Sequence, residues 1–129
     1  MKILDLPLKK EWYEMIESGI KKEEYRELTP HWCNRLLFNK CLGVKNFWED
    51  ILGKTKLAVN KISFLNYDKL LIKKFGTRGY THVRFRYGYT RRTMLFKIDD
   101  ISVGIGNKEW GASNEETFII KLGERCQED

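Results

Sequence analysis

A chain of 129 residues suits one domain with one core. Its balance of 42% hydrophobic and 33% charged residues excludes a disordered polymer. The net charge of +6 favours an anionic partner and is unevenly spread: Lys69 to Ile98 holds nine basic residues and no acid, whereas the rest carries 15 basic and 18 acidic residues.

No apolar run approaches the ~18 residues that span a bilayer, so no membrane association is expected. Asp5 and Pro7 interrupt the stretch that a signal peptide would keep apolar. Cys33, Cys41 and Cys126 are odd in number and lack C-x-x-C spacing, and His31 and His82 are the only histidines. This pattern predicts a reduced, cytoplasmic protein with no metal and no cofactor.

In chain order, residues 2–6 read as a short strand. Pro7 then stands at a first helical turn, with Leu8, Trp12, Met15 and Ile16 at helical spacing and Gly19 as the cap of a helix over 8–18. Glu24 and Arg26 lie two apart on the following strand and share a face, opposite Glu23 and Tyr25. Lys21 is out of phase with that face and joins it only from a turn. Thr29-Pro30 opens a second helix with the apolar stripe Trp32, Cys33, Leu36 and Leu37, and Val44 to Leu52 suggests a third. Ile62–Phe64 and Leu70–Ile72 are weaker strand signals. From Thr81 the alternation is clean: His82, Arg84 and Arg86 oppose Val83, Phe85 and Tyr87, Gly88 marks a hairpin, and Met94, Phe96 and Ile98 return. Phe118–Leu122 reads as a last strand. Helices early and strands late give α+β with a small, strongly bent sheet or barrel.

Gly19-x-Lys21-x-x-Glu24-x-Arg26 is the first candidate site. Spacing alone leaves two readings open. One is a solvated strand whose ion pairs contribute ~0–1 kcal/mol each. The other is a pocket face in which Lys21 acts as a base and Glu24 handles protons or binds an amine. The basic strand is the second candidate: Arg84, Arg86, Arg91 and Arg92 suit phosphate contacts, which fix position without reading sequence. Tyr87, Tyr89 and Trp110 are candidate surfaces for stacking on an unpaired base. The glycines at 104 and 106 lack the lysine-serine ending of a phosphate-cradling loop.

The motif G-x-K-x-x-E-x-R after an N-terminal strand and helix resembles the signature of the ASCH (activating-signal-cointegrator homology) family. Phe85-Arg86-Tyr87-Gly88-Tyr89 with Thr93-Met94 resembles that family's hairpin, and Gly104-Ile105-Gly106, Trp110-Gly111-Ala112 and Phe118–Gly123 resemble its C-terminal run. The resemblance implies a PUA-like fold, a small and mostly antiparallel β-barrel with helices packed around a cleft. It makes 1–129 a single domain with a family-specific insertion at about 40–80. It also implies RNA or a modified nucleoside as ligand, held by Lys21, Glu24, Arg26 and the basic hairpin. One branch hydrolyses N4-acetylcytidine, but Glu24 stands where that branch has threonine, Tyr87 stands for an expected asparagine, and no glutamate occurs between Glu49 and Glu109. The leading expectation is therefore binding. The alternatives are a small amidohydrolase or ribonuclease using Lys21 and Glu24, with Arg26 stabilising charge, and a module that meets an acidic protein.

Overall fold

In the computed structural model, residues 1–36 and 79–128 are described, and the chain divides into two compact units, Met1–Arg26 with Gly79–Asp129, and Glu27–Arg78. The third helix expected over 44–52, the strands expected at 62–64 and 70–72, and nearly all of the insertion expected at 40–80 lie outside the described residues.

The first unit is a curled, five-stranded half-barrel in the order β1-β3-β4-β5-β2. Its strands are β1 (Ile3–Leu8), β2 (Glu23–Arg26), β3 (His82–Tyr87), β4 (Thr93–Ile105) and β5 (Glu116–Cys126), and α1 (Lys10–Glu17) follows β1. β1 runs parallel to β3, and the other three pairings are antiparallel. An α+β fold built on a small, bent sheet is therefore present.

The boundary between β1 and α1 differs from the sequence expectation. Pro7 and Leu8 belong to the strand, because Leu4, Leu6 and Leu8 are buried at period two while Asp5 and Pro7 point outward. Proline is tolerated there because β1 is an edge strand, hydrogen-bonded on one side only. Leu8 had matched the helical stripe only because residues 8 and 12 also fit a 3.6-residue period. The helix buries Tyr13 and Ile16 instead. The buried core also includes Val83 and Phe85 of β3, Met94 and Phe96 of β4, and Phe118 and Ile120 of β5.

β1 and β2 are the two edges of the sheet, yet Arg26 Nη2 donates to the Pro7 carbonyl at 3.3 Å. The sheet is thus bent far enough for its edges to meet through one side chain. β5 is longer than expected at both ends, and its pairing with β4 shifts register twice, between Phe96 and Ile98 and again between Ile98 and Asp100.

In the second unit, α2 (Pro30–Leu36) starts as expected: Thr29 Oγ1 accepts from the Trp32 amide at 3.3 Å. Leu36 is buried, and the Arg35 guanidinium lies 5.4 Å from the Trp32 ring centre.

Candidate functional site

Gly19 decides where Lys21 stands. Its φ of +85° reverses the chain after α1, and the Ile20 and Lys21 amides both return to the Met15 carbonyl, at 3.1 and 3.0 Å. Lys21 therefore precedes β2 in a turn, which removes the phase problem posed by its spacing. Its Nζ donates to Glu24 Oε1 at 2.9 Å and to the Trp110 carbonyl at 2.5 Å. The ammonium also lies 4.7 Å from the Trp12 ring centre and 5.4 Å from that of Tyr25. Glu24 Oε2 takes Arg26 Nη2 at 3.1 Å. The three charges form one chain, with Lys21 3% and Glu24 4% exposed.

That near-total burial excludes the first of the two readings of the opening motif. Buried charges of this kind cost several kcal/mol each to desolvate unless paired, so this is not a solvated run. Lys21 directs its donors at a carboxylate, a carbonyl and two rings, and Glu24 spends both oxygens on cations.

The loop between β4 and β5 is fitted onto this cluster by its glycines. A Cβ on Gly106 would stand 2.5 Å from Tyr25 Cε1, and one on Gly111, whose φ is +97°, would stand 3.0 Å from Trp12 Cζ2. Tyr25 Oη accepts from the Asn107 amide at 2.9 Å and donates to Glu23 Oε1 at 2.8 Å. Burial is the main cause that pushes the Tyr25 phenol up to about 12. Trp110 thus serves the cluster through its carbonyl. Trp12 and Tyr25, which spacing placed on a helical stripe and on the opposite strand face, are its walls.

No family model, curated protein or solved structure matches the chain.

The basic hairpin divides into two kinds of residue. Arg84 is engaged by Glu128 at 2.6 Å and Asp5 at 3.4 Å, and Arg92 by both oxygens of Glu17 at 2.6 and 2.8 Å. The hydrogen bond from Thr93, and then Arg84, hold the Glu128 carboxyl below its ordinary range. Tyr87 packs edge-on to Tyr13 at 5.1 Å beneath the Arg92 guanidinium, so its ring is a packing surface. Arg86 donates to the Thr90 carbonyl at 3.1 Å, Arg91 is exposed, and Tyr89 is fully exposed. The acid-free count along the sequence could not register carboxylates arriving from β1, α1 and the C-terminal end.

Beside Lys21, a cavity of about 700 Å³ opens between the end of α1 and the shifted stretch of β4 and β5. Ile16, Phe96 and Leu122 line it together with Lys22, Lys97 and Asp99. A second cavity of about 570 Å³ shares Lys22 and Leu122 with it and reaches Trp110. Sequence reasoning missed Lys22, Lys97 and Asp99, because nothing in the strand alternation marks a register shift.

Among the described residues, no three His, Cys, Asp or Glu side chains are grouped to hold a metal ion, and no helix is long and apolar enough to cross a membrane.

Proposed function

We propose that this chain is an ASCH-like, PUA-type domain that binds single-stranded RNA or a modified nucleoside. The observation that carries the reading is Tyr89, fully exposed on a braced turn. Gly88, at φ +57°, turns the hairpin, and its amide donates to the Leu8 carbonyl at 2.9 Å. Thr90 returns both its amide and its hydroxyl to the Tyr87 carbonyl, and Arg86 ties the turn from the side. An aromatic ring held out on an ordered turn beside Arg91 and Arg86 suits stacking on an unpaired base, with the guanidiniums set for the backbone.

The buried Lys21–Glu24–Arg26 chain supports this reading as a scaffold. Arg26 reaches Pro7, whose register partner on β3 is Arg86, so the charge chain underlies the strand edge that carries the hairpin. The binding reading is preferred to the hydrolytic one because Lys21 and Glu24 satisfy each other. The order of the three motifs along the chain supports the family assignment.

The test is fluorescence anisotropy with a labelled single-stranded RNA of mixed sequence at low salt. Tyr89→Ala should weaken binding about tenfold, the scale of one lost base stack, and Arg91→Gln should weaken it and flatten the salt dependence by about one phosphate contact. Absence of binding at low salt, or binding indifferent to both variants, would reject the reading.

A further inference from the structure

The register shifts between β4 and β5 build a feature that the proposed RNA surface does not use. Phe96 pairs with Arg125, Ile98 with Leu122 and Asp100 with Lys121. One extra residue therefore lies on β5 at Gly123–Glu124 and one on β4 at Asp99. Extra residues of this kind re-aim a side chain out of the regular alternation. Here the two compensate each other, and Asp99 lies over Gly123, where a Cβ would run into the Asp99 carboxylate. A side chain at that position would push the carboxylate aside. Asp99 is exposed and makes no hydrogen bond or ion pair among the described residues, and it stands at the rim of the cavity of about 700 Å³ beside Lys21.

The rest of the lining is complementary in character. Ile16, Phe96 and Leu122 give an apolar wall, and Lys22 and Lys97 bring two cationic groups. Lys97 is only loosely held, 3.9 Å from Glu124, whose side chain is 86% exposed and can turn to solvent. The volume falls within the roughly 300–1,000 Å³ of small-molecule sites. A ligand fitted to these walls has an apolar or aromatic body, an anionic end for the lysines and hydrogen-bond donors for a carboxylate that can only accept.

We propose that this cavity is a binding site for a guanine nucleotide, with Asp99 accepting from the base and Lys22 and Lys97 holding the phosphate. Guanine is selected because an ionised carboxylate offers two acceptor oxygens side by side. Guanine answers with two adjacent donors, N1–H and the N2 amino group. Adenine places an acceptor nitrogen next to its amino group, and uracil offers a single ring N–H between two carbonyls. Guanine can therefore make a bidentate pair with the carboxylate that adenine and uracil cannot form. The choice of a nucleotide rests on the nucleic-acid reading above; the site itself is separate from Tyr89 and the hairpin.

The experiment is an amide-shift NMR titration of the whole chain with GMP, IMP, AMP and UMP at low ionic strength. GMP should move the amides of Gly19, Lys22, Phe96 to Asp99 and Leu122 to Glu124 in a saturable way. IMP, which keeps N1–H and lacks the N2 amino group, should bind less tightly, and AMP and UMP about tenfold or more below GMP. Asp99→Asn should remove the preference for GMP over AMP, and Lys97→Gln should weaken all four alike. Equal affinity for GMP and AMP in the wild-type chain would overturn the proposal, as would saturable shifts confined to the hairpin or no shift at millimolar GMP. The base series needs no substitution, so a variant that fails to fold leaves the test intact. Loss of Tyr89-dependent RNA binding with GMP binding retained would sink the RNA reading alone, and the reverse outcome would sink this site alone.

Discussion

At the scale of the residue, the buried charge chain yields a prediction with a defined order. Glu24 neutralises both Lys21 and Arg26, at 2.9 and 3.1 Å. Glu24→Gln leaves the 3%-exposed Lys21 without its anion and should cost about 3–5 kcal/mol in chemical denaturation. Lys21→Met removes the charge together with its pair and leaves Glu24 with Arg26, so it should cost less. The double variant should then be more stable than Glu24→Gln alone, a coupling that independent sites do not show. Additive losses would mean that Lys21 and Glu24 do not depend on each other. The residue types and spacing of this chain were legible in the sequence, as was the conformational role of Gly19. What sequence could not supply was the burial, because the walls come from Trp12 and from a loop that starts some eighty residues after Lys21.

At the scale of the element, the β3–β4 hairpin shows why alternation reads a strand well and its charge poorly. Its turn glycine and its buried Val83, Phe85, Met94 and Phe96 follow from period two and are present, although Leu95 is buried between the last two. Whether an arginine is available depends on acids far away in sequence, and Arg84 is taken by Glu128. If the hairpin meets RNA, that carboxylate competes with phosphate for the same guanidinium. Glu128→Gln should therefore tighten RNA binding at low salt and raise the slope of log affinity against log salt by about one contact. The Arg84→Gln variant should show no such gain when Glu128→Gln is added. An unchanged slope would mean that Arg84 lies off the binding surface. The Pro7–Leu8 boundary failed at this same scale for a related reason: a leucine that fits two periods is assigned only by its neighbours in the sheet, here the parallel partner β3.

At the scale of the whole half-barrel, two phenols that are neutral when buried set an alkaline limit. Tyr25 joins β2 to the β4–β5 loop through Asn107, and burial is the main cause of its rise from 10.0 to about 12. Tyr13, in the core beneath Arg92, is also raised, by burial first and then by Glu17. A phenol whose folded value lies above its unfolded value favours the folded state in its neutral form. Its contribution is complete below about pH 10 and is lost as pH rises through about 12. For Tyr25 this amounts to at most on the order of 2 kcal/mol, discounted because the ring is only half-buried. Denaturation followed from about pH 8 to about pH 12 should show stability falling through the upper part of that range. Lysine titration contributes in the same window, so the decisive comparison is Tyr25→Phe. That variant starts less stable, having lost its bonds to Asn107 and Glu23, and should decline less steeply. Tyrosinate absorbance should show phenols that ionise late and only as the fold opens. Parallel curves for the wild type and Tyr25→Phe would show that the loop is held by packing against Trp12 and Gly106, with the phenol hydrogen bonds contributing nothing that depends on pH.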